Sequence, residues 1–276
     1  MKSYPPVYKQ LLQHILQGRL LVLAGPSLLD DKALASETAA QLSAMAEKLQ
    51  VALVFKSAYK RVNSTVADEF TGLGAEPALK HLKSIGKKHG IPVQTDVYNE
   101  LDVFVAAKYA DILQIPAYLF RDTSLLEAAA RTGKTVNIRK GMTIQGGSMA
   151  EAVLKVNRKG SNAILLTERG TMLGYEEVVV DFRNMLKMLK NHVPVLLDLS
   201  NTVDPGPAHP LEDDLLEKAL VLGKAAVAAG AAGITLDAHA NTAIARASAG
   251  YCFQVSAIEP IIKELAHLKK CLHQHT

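Results

Sequence analysis

Eight short, continuous apolar runs alternate with helical segments along this chain, and that alternation admits few folds. The runs occupy residues 20–25, 51–56, 92–97, 111–115, 135–140, 163–168, 194–199 and 233–238. Most are apolar at consecutive positions, the pattern of parallel strands buried on both faces. Helical stretches fall at 32–49, 76–89, 100–109, 124–132, 149–159, 178–190 and 211–230, and a last one at 258–272. Strand–helix alternation predicts an α/β fold with a parallel sheet. Eight units in 276 residues favour a single (β/α)8 TIM barrel over an open sheet. Residues 1–18 are expected to form an N-terminal helix or arm closing the barrel bottom, with residues 19–276 as the barrel.

Punctuation supports these boundaries. Gly90 follows the basic turn Lys87-Lys88-His89, and Gly133 follows Arg131-Thr132, both helix stops. Thr123 is expected to cap the helix that brings Leu125 and Leu126 into the core. Long or Gly/Pro-rich loops at 58–75, 141–148, 201–210 and 240–250 all follow strands. They therefore lie on the face where barrel enzymes build their sites.

Composition excludes several classes. Net charge is +4, and the basic residues are dispersed without a long run, so no nucleic-acid partner is expected. Cys252 and Cys271 are the two cysteines, and no CxxC occurs, which fits a reducing cytoplasm. Residues 1–18 lack a positive segment followed by a long apolar one, so no secretory signal is expected. The apolar runs are strand-length or interrupted by charge, so no membrane span is expected either.

The chemistry-bearing residues stand at the strand ends. Lys56 ends the second run, Asp96 the third, Gln114 the fourth and Lys140 the fifth; Arg169 follows the sixth. Asp198 lies in the seventh, and Asp237 and His239 close the eighth. In a barrel these ends meet at one mouth. Three cations converging there imply a small, multiply anionic ligand carrying phosphate or carboxylate groups. Within VFKSAYKRVNST, Lys56, Lys60, Arg61, Asn63 and Ser64 lie within nine residues; the plainer alternative is a solvated basic turn. In TVNIRKGMT, side chains alternate, so only one of Arg139 and Lys140 points inward, and Lys140, at the very end, is the expected one. Arg169 needs an anionic partner: a ligand, or a structural salt bridge to Glu168 or Asp96. LQIPAYLFRDTSL offers Gln114, the Ala117 backbone amide and Arg121; LDLSN offers Asp198, Ser200 and Asn201; LDAHAN offers Asp237, His239 and Asn241. A His-plus-Asp cluster is a possible metal site, and a hydrogen-bonded polar rim is the alternative.

VFKSAYKRVNST, TDVYNE, LQIPAYLFRDTSL, TVNIRKG and ERGTMLGYEEVVVDFR together resemble the corresponding segments of the 3-deoxy-D-manno-octulosonate 8-phosphate synthase family. The related 3-deoxy-heptulosonate 7-phosphate synthases share its barrel and chemistry. The resemblance spans residues 20–262 and is tightest over 51–183. It implies a condensation of phosphoenolpyruvate with an aldose phosphate, by default arabinose 5-phosphate, and a homotetramer. Carried over by resemblance, Lys56, Arg61, Lys140 and Arg169, with Gln114 and the Ala117 backbone, bind phosphoenolpyruvate. Asn63 and Asp96 face the aldehyde, with Asn201 and His239 as further substrate contacts. Lys140, Asp96 and Asp237 are the expected catalytic set, Lys140 moving a proton or polarising the acceptor carbonyl.

The departures are as informative. Where the family reads ANRS, with an Arg for the acceptor phosphate, this chain reads VNST with Ser64. TDVHE becomes TDVYN with Tyr98, and the basic loop after the seventh strand becomes VDPGPAHPLEDD, carrying Glu212, Asp213 and Asp214. The four metal-ligand positions of metal-dependent members hold Ser27, Asn201, Asp237 and Ser248. No metal or other cofactor is therefore expected. An intact phosphoenolpyruvate half and a rebuilt acceptor half leave two alternatives open. One is the same chemistry on a different aldehyde, phosphorylated or not; the other is a catalytically silent phosphoenolpyruvate-binding homologue.

Overall fold

The computed structural model describes residues 4–62, 72–174, 177–203, 214–244 and 252–274. Eight strands occur where the apolar runs predict them. They are β1 (Leu21–Gly25), β2 (Ala52–Lys56), β3 (Val93–Asp96), β4 (Ile112–Ile115), β5 (Thr135–Arg139), β6 (Ile164–Glu168), β7 (Val195–Asp198) and β8 (Gly233–His239). They pair in chain order, all parallel, and β8 returns to β1 from Leu21↔Gly233 to Gly25↔Asp237. The sheet is thus a closed (β/α)8 barrel. A two-residue strand, β9 (Phe253–Gln254), adds to the end of β8.

Strand alternation splits the apolar residues into two cores. Val136 and Ile138 of β5 belong to the larger one, between barrel and helices, with Leu113, Ile164, Leu166, Leu197 and Ile234. Leu21, Leu23, Val54, Leu165 and Leu196 form the smaller one, inside the barrel. Helix α1 (Pro6–Leu16) closes that interior from below. Tyr8 and Leu11 pack against the interior core, and the Tyr8 hydroxyl donates to the Ile164 carbonyl at 3.1 Å. Pro6, at the first helical position, has its φ already set for a helix and gives up an N–H that would have no partner there.

The outer helices are α2 (Lys32–Leu49), α3 (Ala75–His89), α4 (Glu100–Ala106), α5 (Thr123–Arg131), α6 (Met149–Arg158), α7 (Phe182–Leu189), α8 (Leu199–Val203), α9 (Leu215–Ala228) and α10 (Val255–Gln274). Gly90 ends α3 in the left-handed conformation, as its position after the basic turn predicts. The expected cap at Thr123 is corrected to Asp122, whose carboxylate accepts from the Leu125 amide at 3.0 Å. A carboxylate there also meets the positive end of the helix dipole. Residues 178–181 are not helical: Val179 bridges back to Thr171, and α7 starts only after Asp181, which caps it. The short α8, directly after β7, was not expected. No helix among the described residues is long and apolar enough to cross a membrane.

Candidate active site

Above the apolar interior lies a layer of amides and a hydroxyl. Gln94 donates to Gln114 at 3.1 Å, Asn137 donates to Gln94 at 3.1 Å, and Thr167 donates to Asn137 at 2.8 Å. All four are buried. Gln94–Gln114 and Thr167–Asn137 join adjacent strands, and Asn137–Gln94 reaches across β4, so these buried polar groups answer one another. Gln114 then donates upward to Asp96 at 2.5 Å. Gln94 and Gln114 of this layer line the floor of a polar cavity of about 230 Å³ at the carboxyl ends of the strands.

Lys56, Arg61, Arg139 and Arg169 line that cavity, against the carboxylates Asp96 and Asp237. The cations are held by neighbours in the barrel. Lys56 is paired with Asp237 from β8, and Arg139 with Asp198 from β7. Arg169 donates to the Asn201 side-chain oxygen. Burial pushes the Asp96 carboxyl above the ordinary aspartate range; Arg139, Lys56 and the Gln114 hydrogen bond pull it back, and the Asp237 charge adds to the rise. Asp96 therefore keeps its proton to higher pH than a solvated aspartate. Gly25 makes room at the rim: a Cβ there would lie 2.1 Å from the Lys56 carbonyl oxygen.

The expectation that Lys140 faces the mouth in place of Arg139 is corrected. β5 carries Thr135, Asn137 and Arg139 on its inner face, so Arg139 lines the cavity and Lys140 points outward. Lys140 is fully buried behind the barrel wall, 3.2 Å from Glu168 of β6. Its ammonium also donates to the Gly141 and Gly170 carbonyls, each at 3.0 Å, and reaches Ile144 O and Thr171 Oγ1 at 3.3 and 3.4 Å. Glu168 in turn accepts the Arg169 and Gly170 amides at 3.0 and 2.7 Å. Gly170 is in the positive-φ region, and a Cβ there would lie 2.1 Å from a Val178 methyl.

Seven of the other expected site residues line the cavity: Lys56, Arg61, Asp96, Gln114, Arg169, Asn201 and Asp237. Ala117 does not; it is buried in a 3-10 turn beside β4. His239 does not either. It is the last residue of β8, outside the cavity lining, and its Nδ1 accepts from the Asn241 amide at 3.1 Å. Burial pushes its imidazole below the ordinary range. Asn63, Ser64, Ser248, Glu212 and Asp213 lie outside the described residues. Lys60 is turned away from the mouth: its ammonium meets Asp102 at 2.8 Å and sits 5.5 Å from the ring centres of both Tyr59 and Tyr98. Tyr98, the replacement for a family His, also donates to the Lys60 carbonyl at 2.9 Å.

The donors near the cavity do not suit a transition metal. Asp237 is occupied by Lys56, and the Asn201 amide by Arg169 and Asp198. Ser27 offers only a neutral hydroxyl, whereas such sites need several thiolate, imidazole or carboxylate ligands. Among the described residues, no group of three or more His, Cys, Asp or Glu is placed to hold a metal. A wider cleft of about 610 Å³ lies at the opposite end, lined by Leu11, His14, Arg19 and Gln50. Its polar groups bind one another, with Arg19 on His14 at 3.3 Å and on Gln50 at 3.2 Å. That end of a barrel serves stability.

Comparison with known proteins agrees with the geometry. A protein from Nitratidesulfovibrio vulgaris (strain DP4), named 2-dehydro-3-deoxyphosphooctonate aldolase, is 37% identical over 259 residues, 94% of this chain and 95% of its own length. Proteins with the same name from Syntrophotalea carbinolica and Hydrogenovibrio crunogenus are 36% and 30% identical, covering 88% and 93% of this chain and the same shares of their own. The profile of the DAHP synthetase I family matches residues 12–273. With the closed barrel, the cationic mouth and this match over nearly its whole length, the chain belongs to the DAHP synthetase I family.

Proposed function

We propose that this protein is a phosphoenolpyruvate-dependent carbon–carbon bond-forming synthase whose acceptor is arabinose 5-phosphate. The observation that carries this reading is the convergence of Lys56, Arg61, Arg139 and Arg169 on one small polar cavity, beside Asp96 and Asp237. Four cations suit a ligand bearing both a phosphate and a carboxylate. The relatives' names give an eight-carbon phosphorylated keto acid, which less the three carbons of phosphoenolpyruvate leaves a five-carbon aldose phosphate, arabinose 5-phosphate by the resemblance. Carbon 3 of the enol forms the new bond to the aldehyde carbon, whose oxygen takes a proton. Water adds at carbon 2 and loses a proton; the carbon–oxygen bond to phosphate then breaks as the new hydroxyl closes to the keto group, its proton leaving with the phosphate. In this reading Asp96, whose carboxyl is raised by burial, gives the first proton and Asp237, across the same cavity, takes the second. The cations hold the donor in line and offset charge as it shifts from enol to phosphate. The reading extends to a cytoplasmic homotetramer, in keeping with two free cysteines and the family resemblance.

The test is phosphate release from phosphoenolpyruvate with arabinose 5-phosphate, with mass detection of the eight-carbon product. Release and product are expected; release with unphosphorylated aldehydes alone would overturn the acceptor. The acceptor phosphate is expected to be held loosely, because Ser64 stands where the family has Arg and Lys60 is engaged by Asp102. Ser64→Arg should lower the KM for arabinose 5-phosphate by about tenfold or more, the worth of a charge-assisted contact. An unchanged KM would place the phosphate elsewhere.

Activity is also expected to survive chelation, on the donor chemistry of Ser27, Asn201 and Asp237. Loss of turnover in chelator and its return with one divalent metal would refute this. Elemental analysis of the purified protein checks it independently.

A further inference from the structure

Arg139 ends β5, Arg169 directly follows the adjacent β6, and both line the same cavity, so their guanidinium groups repel. A chain of two side chains joins them. Asp198 is buried and accepts from Arg139 on Oδ2. The same Oδ2 accepts from the Asn201 side-chain nitrogen at 3.0 Å, and Oδ1 accepts from the Asn201 backbone amide at 3.1 Å. The Asn201 side-chain oxygen then accepts from Arg169. Helix α8 starts at the residue after Asp198, which sets Asn201 one turn above that carboxylate. The amide is the side chain of the right size that gives a donor to Asp198 and an acceptor to Arg169. A carboxylate at this position would repel Asp198, and a short hydroxyl would not span the gap.

We propose that Asp198 and Asn201 are positioning residues that act as one brace, fixing the spacing of Arg139 and Arg169 for a single phosphate- and carboxylate-bearing ligand. This rests on the reading of the cavity as a phosphoenolpyruvate site. The brace leaves the cations charged while removing their freedom, so less ordering is left for the moment of binding.

The test titrates phosphoenolpyruvate calorimetrically into the wild-type protein, Asp198→Asn, Asn201→Ala and the double variant, with chemical unfolding of each alongside. Each single change should weaken binding by about tenfold, the scale of one charge-assisted hydrogen bond. The double variant should be no worse than the weaker single, because either change already breaks the brace. Asn201→Asp should bind weakly near neutral pH and recover as the new carboxylate is protonated, a pH dependence that a purely structural role does not produce. Unfolding midpoints that fall while phosphoenolpyruvate affinity stays fixed would overturn the proposal, and so would fully additive losses. If the wild-type protein itself ignores phosphoenolpyruvate, the proposed function fails. The same four proteins titrated with inorganic phosphate then decide the brace by the same comparison.

Discussion

Lys140→Met is expected to lower folding stability by roughly 3–5 kcal/mol, the cost of leaving one buried charge without its partner. Lys140 has no exposed surface, and Glu168 has 1% of its own. Neither has water to fall back on. The ammonium also gathers the Gly141 and Gly170 carbonyls, so the loops after β5 and β6 both loosen when it is removed. Those loops adjoin Arg139 and Arg169, and substrate binding should suffer in parallel. Replacing both partners, Lys140→Met with Glu168→Gln, should recover much of the stability, because no uncompensated charge is then buried. Urea unfolding of the two variants measures both effects. Wild-type stability in Lys140→Met with a large fall in kcat would return Lys140 to the proton-transfer role first expected of it.

Arg169→Ala should weaken phosphoenolpyruvate binding by roughly 1.5–3 kcal/mol, or about 10–150-fold, as expected for a charge-assisted contact in a largely enclosed site. Arg139→Ala should act on the same scale, since Arg139 occupies the inward position on β5. Its removal also takes the ion pair from the buried Asp198 carboxylate and leaves it the two Asn201 hydrogen bonds. The Arg139 variant is therefore expected to lose stability as well as affinity, whereas Arg169→Ala leaves the neutral Asn201 behind and should lose mainly affinity. Calorimetry against phosphoenolpyruvate separates the two outcomes. Unchanged affinity in Arg169→Ala would remove the cationic mouth from the binding reading.

The barrel is legible in the strand pattern, and the reason is local. Continuous apolar runs of strand length, each followed by a helix, leave a closed parallel sheet as the arrangement that buries both strand faces in one domain. It also placed Lys56, Asp96, Gln114, Arg169, Asn201 and Asp237 at one mouth, because every parallel strand ends on the same side. The phase of β5 was legible too: Val136 and Ile138 are the apolar partners of the helices, which leaves Asn137 and Arg139 facing inward. Reading the strand end in place of its alternation chose Lys140. Tertiary structure alone decided which charges answer one another. Lys56–Asp237, Arg139–Asp198, Lys140–Glu168 and Lys60–Asp102 each join different segments, brought together by barrel closure and by loops whose paths no local pattern encodes. The same closure turned Lys60 away from the cavity and let Asn201 link two arginines, because pairing in space follows strand register, not distance along the chain.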